Sequence, residues 1–446
     1  MRSRIKNYII LILISILSIF IINCMQEPLY HFICYLIFCG IIMFLSKFEI
    51  DHPYFWFTSF FSLYNVAYLI IYLFYKKDRI IVGYSKEYII ILIIGLLSFL
   101  LSSGMKRYPY ENRENILCKK KYIRFLLEYL LYLFIIICFI CIFKFTDRGF
   151  TSKQQMWEVY DTYYIIGAYC TRYITLIISL FIVSGIPLKK IRLKIFLSIL
   201  IVLIYSLFTS ERDAIFRIIL VIFFSFFIKK YLRKKSIFIF IPLGIFFMIM
   251  MTYLKYYFVN GSLDNKYLNS SYQIIYLFLY SDFAQCGANF QILLNNPFTK
   301  GIFNILIIFS SLVGAILPAR ISQILFNGVY NTSVWYNNTF FPNSSWNRDF
   351  SLIGEGYLIG GEYGVVFLFF ILGIITRIIY KFSSKSEYNM SFYIYFLVGF
   401  ISAFRSNLLS LFSSVVRIPL SLFFLLYIFD KIYIYIKKLT KENNVK

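Results

Sequence analysis

Histidine is almost missing from this chain: His31 and His52 are the only two in 446 residues. Imidazole is the commonest metal ligand and the usual proton carrier near neutral pH, so a zinc site or a Ser-His triad has little to be built from. Charge is scarce as well, at 15% of residues, and acids are the rarer kind, 21 Asp and Glu against 45 Lys and Arg. Hydrophobic residues make up 60% and the mean hydropathy is +0.74, which excludes an ordinary soluble domain. The motifs GxGxxG, HExxH, GxSxG and the Walker loop are all absent.

Eight cysteines are scattered at Cys24, Cys34, Cys39, Cys118, Cys138, Cys141, Cys170 and Cys286. "CFIC" at Cys138 has CxxC spacing, but it sits in an apolar run with no second pair, so the cysteines read as small apolar fillers.

What is abundant is apolar sequence of bilayer-spanning length, roughly 17 to 25 residues at a time. Such runs fall at 8–23, 30–47, 54–75, 88–104, 125–146, 164–185, 195–210, 214–228, 236–254, 352–376, 390–404 and 415–436. The expected fold is therefore an all-α polytopic membrane protein with about twelve transmembrane helices. Cytoplasmic loops retain Lys and Arg. With "MRSRIK" inside, "KKIRLK", "KKYLRKK", "RIIYKFSSK" and the tail "KKLTKENNVK" are inside too, and both termini face the cytoplasm. Roughly 28 basic residues then lie inside and roughly 14 outside; "KKDRIIVGYSKE" is the one dissenting loop. The net charge of +24 reads as a topology signal with some attraction to anionic lipid, and nucleic acid is not an expected partner. The first run has the charged and apolar regions of a signal peptide, yet Asn23 is bulky where a cleavage site wants a small residue, so an uncleaved first helix is expected.

The expected organisation is a membrane region over 1–254, a long outer loop over 255–351, and a second membrane region with a basic tail over 352–446. Long loops without their own structure are uncommon unless they do something. Within this one, "NTSVWYNNTFFPNSSWNRDF" mixes amides and hydroxyls with Trp335 and Trp346. Amides bond sugar hydroxyls and aromatic faces stack on sugars, so carbohydrate is a candidate ligand; a polar loop with its aromatics in the headgroup belt is the plainer alternative. The apolar stretch 301–318 is expected to be a re-entrant or interfacial helix, because a full crossing would turn the later basic loops outward.

Arginines cluster toward the outer ends of the spans: Arg172, Arg212, Arg217, Arg405 and Arg417, with Arg320 and Arg348 in the loop. A guanidinium grips phosphate bidentately where lysine acts as a point charge, so the group suggests a phosphate-bearing ligand at the outer leaflet. Arg217 could instead simply pair with Asp213 one turn earlier, and Arg405 or Arg417 could snorkel to headgroups.

"GEGYLIGGEYG" begins the span after the loop. Gly356, Gly360 and Gly364, spaced by four, are expected on one helix face as a packing surface for another helix. Glu355 and Glu362 should share a face. One of them, Glu355 for preference, is a candidate general base; the plainer reading has both pairing with arginines.

Many helices, a long outer loop, this glycine-rich entry and the arginine segment "SERDAIFR" together resemble the O-antigen polymerase family, Wzy, the oligosaccharide repeat-unit polymerases. The resemblance implies a glycosyltransferase at the outer face of a bacterial inner membrane. It would move a growing glycan from undecaprenyl diphosphate onto a new lipid-linked repeat unit, in O-antigen or capsule synthesis, with no cofactor, arginines in place of a metal ion, and a chain-length regulator as protein partner. Arg212 with Arg217 matches the family's arginine segment, and Glu355 with Gly360, Gly361 and Gly364 its glycine-rich one. An Arg-X10-Gly pattern of such loops is not cleanly present. Arg172, Arg320, Arg348, Arg405 and Arg417 are chosen on charge and depth alone. An O-antigen ligase shares this layout but would carry a loop histidine, and a lipid-linked oligosaccharide flippase has little use for the outer loop. A sensor or scaffold leaves loop and arginines unexplained.

Overall fold

The computed structural model describes residues 2–74, 83–108, 117, 120–145, 153–209, 211–232, 250, 283–303, 305–317, 321, 324–326, 331–342 and 350–443. Among them every regular element is helical. Eight helices form the N-terminal half: α1 (Arg2–Cys24), α2 (Pro28–Leu45), α3 (Pro53–Phe74), α4 (Lys86–Ser103), α5 (Lys121–Phe145), α6 (Lys153–Val183), α7 (Leu188–Thr209) and α8 (Arg212–Ile228). The rest are α9 (Ala284–Leu294), α10 (Leu306–Ile316), α11 (Thr332–Phe340), α12 (Leu352–Ser383), α13 (Glu387–Ala403), α14 (Leu408–Val415) and α15 (Ser421–Asn443).

Nine spans among the described residues are long and apolar enough to cross a membrane, the last running from Leu408 to Thr440. The chain is a multi-pass membrane protein. Of the twelve expected runs, 236–254 lies outside the described residues except for residue 250. Those at 214–228 and 390–404 became α8 and α13, each 17 residues, or about 26 Å of helix against a hydrocarbon core of about 30 Å. Helix α10 has 11 residues and covers about half of that thickness.

The chain divides into two compact units. The first comprises Met1–Pro109, Lys235–Lys381 and Gly399–Phe412. Its centre is aromatic: Phe57 of α3 stacks on Phe99 of α4 with ring centroids 3.5 Å apart, and Phe369, Phe400 and Phe404 present their edges to it. By contrast α1 leaves Leu13, Ile16, Leu17 and Phe20 exposed, as a lipid-facing helix should in a bilayer as apolar as leucine itself. Helix α9 presses into α3 and α4, where a Cβ on Gly287 would fall 2.4 Å from the Tyr88 hydroxyl. Part of the expected loop is thus packed helix.

The second unit comprises Tyr110–Lys234, Phe382–Val398 and Ser413–Lys446. It holds α5 to α8 and α15. Phe134 of α5 stacks on Tyr173 of α6, whose hydroxyl bonds Ser421 Oγ of α15 at 2.7 Å. Lys194 of α7 reaches Glu128 of α5 at 2.8 Å.

The glycine-rich stretch departs from its expected form. Helix α12 is broken at Gly360 and Gly361, where Gly361 takes φ +61°. A Cβ on Gly364 would lie 2.3 Å from the carbonyl oxygen of Gly356, whereas residues eight apart in a straight helix are about 12 Å apart. The segment before the break therefore doubles back along the segment after it. Gly356 and Gly364 meet each other and do not offer one face to a foreign helix, and among the described residues nothing lies within 4 Å of a Cβ on Gly360. Close approach by another helix occurs elsewhere, at Gly373, where a Cβ would overlap Ser102 of α4.

Candidate functional site

In the second unit two of the arginines, Arg172 and Arg417, converge on one tyrosine. Tyr169 and Arg172 are three residues apart in α6, hence neighbours on its surface, and the Arg172 guanidinium lies over the Tyr169 ring at 5.8 Å from its centroid. Arg417 Nη1 donates to the Tyr169 hydroxyl at 3.1 Å. Arg417 itself sits in a π-helical turn, Val416–Leu420, between α14 and α15. Pro419 within that turn has no N–H to give, and single π turns of this kind recur at functional sites.

The start of α8 carries the second part of the group. Arg217 Nε donates to Asp213 Oδ2 at 2.5 Å, one turn apart, and the two side chains are 13% and 16% exposed. The along-helix pair anticipated as the plainer reading is present. Arg212 opens the helix, and Glu211 before it accepts the Tyr164 hydroxyl at 2.8 Å. Arg172, Arg212, Arg217 and Arg417 thus outnumber Glu211 and Asp213, and all six are partly exposed. A half-buried excess of guanidinium suits an anion with several oxygens, because each fork can donate two parallel bonds.

The first unit holds Glu355. The side chain is 0% exposed. Oε1 accepts the Thr332 hydroxyl at 2.9 Å and Oε2 the Leu408 N–H at 2.7 Å. Asn331 and Asn407, the residues before those two, cap α11 and α14: Asn331 Oδ1 accepts Ser333 N–H and Asn407 Oδ1 accepts Ser410 N–H. Asn407 Nδ2 also donates to Asn331 Oδ1 at 2.6 Å. Two helix starts are therefore tied together over one carboxylate, an arrangement the partial positive charge of helix N-termini favours.

Glu362 is not on a shared face with Glu355, because the helix breaks between them. It pairs with Lys300 at 2.8 Å at an exposed position, and that hydrogen bond holds the Lys300 ammonium above its ordinary value. Backbone bonds from Gly301 N–H to Tyr357 and from Phe303 N–H to Leu358 seat the 300–303 segment against the broken helix.

Arg405 lies beside the Glu355 node, its carbonyl accepting Phe350 N–H at 3.1 Å. Trp335 is packed edge-on against Phe303, centroids 5.0 Å apart. Arg320, Arg348 and Trp346 lie outside the described residues. Among the described residues no three His, Cys, Asp or Glu side chains come together. Sequence reasoning missed Tyr169, Thr332, Asn331 and Asn407. The two asparagines carried a readable signal, since each precedes a helix and has a Ser two or three residues on.

A protein-family model described as O-antigen polysaccharide polymerase Wzy matches residues 5–439. The chain belongs to that family. No curated protein and no solved structure matches it. Membership in the Wzy family gives the chain an O-antigen polymerase role in a membrane.

Proposed function

We propose that the chain joins undecaprenyl-diphosphate-linked repeat units into O-antigen or capsular polysaccharide at the outer face of a bacterial inner membrane, with both termini cytoplasmic. The observation that carries this reading is the meeting of Arg172 and Arg417 on Tyr169. Glycosyl transfer breaks the bond between the sugar and the lipid diphosphate, so negative charge grows on the leaving phosphate oxygens. Donors fixed in advance around that position lower the barrier. Arg172, Arg417 and Arg217 are the donors in this reading, Arg212 stands at their edge, and guanidinium charge takes the part a metal ion plays elsewhere.

The amides and aromatics of the loop, Trp335 and Trp346 among them, hold the glycan, and Arg320, Arg348 and Arg405 extend the anion-binding surface. The stretch around α10 lies in the membrane interface. For Glu355 we assign positioning in place of the base role, because both carboxylate oxygens are taken up in joining α11 to α14. A chain-length regulator is the protein partner this reading implies.

The test is the surface-glycan profile of the source organism with the gene deleted and then restored. Glycans that stop at one repeat unit and lengthen on restoration support polymerisation. Polymer left on the lipid carrier would point to a ligase, repeat units trapped inside to a flippase, and an unchanged profile would remove the reading.

A further inference from the structure

Helix α13 carries a row of buried polar atoms that no group among the described residues satisfies. Glu387, Ser391 and Tyr395 are spaced by four and so lie along one side of the helix; they are 0%, 0% and 3% exposed. Glu387 Oε1 accepts the Leu117 N–H at 2.6 Å. Its other oxygen, the Ser391 hydroxyl and the Tyr395 hydroxyl have no hydrogen-bond partner among the described residues. A buried polar atom left unsatisfied costs about 1–3 kcal/mol, and in a membrane protein such atoms are met by neighbours or by ordered water.

Charged groups stand at both ends of the row. Lys229, which follows α8, acts electrostatically on Glu387. Arg217, Arg172 and Asp213 act on Tyr395, with Tyr173 nearby. Since Asp213 and Arg217 begin α8 and Lys229 ends it, the row runs antiparallel to α8 and reaches the arginine group at Tyr395.

We propose that this side of α13 binds a file of water molecules bridging Glu387 Oε2, Ser391 Oγ and the Tyr395 hydroxyl, open toward Asp213, Arg217 and Arg172. The spacing fits water. Side chains four apart on a helix are about 5–6 Å from each other, which is about two hydrogen bonds through one water oxygen. Hydroxyls that both donate and accept suit a ligand that does the same. A cation would meet the repulsion of Arg172 and Arg217 at the Tyr395 end, and a larger anion would meet Glu387. The file also gives a proton a route. When the acceptor hydroxyl becomes a glycosidic oxygen its proton must leave, and the waters carry it from the arginine group toward Glu387, a step that rests on the reading given above.

X-ray radiolytic labelling of the purified protein in detergent, read by mass spectrometry, tests the file, because a buried side chain is hydroxylated only where water is bound beside it. Tyr205 is the control, 0% exposed with its hydroxyl donating to the Tyr164 carbonyl at 2.9 Å. Tyr395 should label several-fold faster than Tyr205. Ser391→Leu should abolish the excess and Ser391→Thr keep it, and polymerisation by the Leu variant should slow by about tenfold or more while the Thr variant stays near the unaltered rate. Equal labelling of Tyr395 and Tyr205 in the unaltered protein overturns the file; lost labelling with an unchanged rate overturns the proton route. Labelling needs no substrate, so a protein hydrated at Tyr395 yet inactive in glycan synthesis would count against the polymerase reading alone.

Discussion

The carboxylate of Glu355 accepts the backbone N–H of Leu408 at 2.7 Å while its other oxygen holds Thr332, so one buried side chain joins the start of α11 to the start of α14. An amide cannot do the same. In Glu355→Gln one oxygen is replaced by an NH2 that faces either a hydroxyl or an N–H, and a buried donor loses its acceptor. The expected loss is about 1–3 kcal/mol, seen as a lower unfolding midpoint in detergent. Thr332→Val should cost less, because the carboxylate keeps its backbone bond. An unchanged midpoint for Glu355→Gln would return the residue to the role of base.

The arginine group should respond differently. Arg172→Ala, Arg217→Ala and Arg417→Ala remove donors from a partly exposed site, so protein level and unfolding midpoint should change little while polymerisation falls, by about 10²- to 10³-fold for a donor aimed at the leaving phosphate. Arg417→Lys should recover only part of the rate, since an ammonium lacks the bidentate fork. Arg212→Ala is expected to abolish long glycan as well. Full-length glycan ladders from all four alanine variants would take these residues out of the mechanism.

The broken helix separates three glycines that look alike in sequence. Gly360→Ala should be tolerated, because a Cβ there meets nothing within 4 Å among the described residues and φ is −172°, open to any residue. Gly364→Ala drives a methyl to 2.3 Å from the Gly356 carbonyl oxygen, and the doubled-back segment must shift, at a cost of at least about 1–3 kcal/mol. Gly361→Ala adds a left-handed backbone at φ +61° to a clash with Lys300. Folded yield after membrane extraction should rank Gly360→Ala above both others.

The spans were legible in sequence because lipid demands long apolar runs, and each of α1 to α8 contains most of its run, although α6 and α7 begin well ahead of theirs, at Lys153 and Leu188. The break in α12 was not. The run "LIGGEYGVVFLFF" is apolar on both sides of Gly360, and what turns the chain is its fit against 300–303 and against itself. Helices α9 and α11 were hidden for a related reason: they are 11 and 9 residues long, and what holds them is contact with distant partners such as Tyr88 and Asn289. At the candidate site, depth and charge picked out Arg172 and Arg417 separately, but no local pattern says that both reach Tyr169. Tertiary packing supplies that.

Stability should depend on pH through His52. His52 lies in the turn before α3, where Tyr54 N–H donates to its Nδ1 at 3.2 Å. Burial, and next the positive charge of Arg107, push its pKa down from 6.5 to about 4. Above pH 6.5 the folded and unfolded chains carry the same neutral ring, and its full contribution is present. As pH falls from 6.5 toward 4 the unfolded chain takes up a proton that the folded chain refuses, so stability drops, by on the order of 3 kcal/mol across that window. Below about pH 4 both states are protonated and this loss levels off. The unfolding midpoint in detergent should therefore fall between pH 6.5 and 4, and His52→Gln, lower in stability at neutral pH, should flatten that slope. The slope belongs to His52 only if the variant loses it; the same slope in both proteins would assign it to carboxylates elsewhere in the chain.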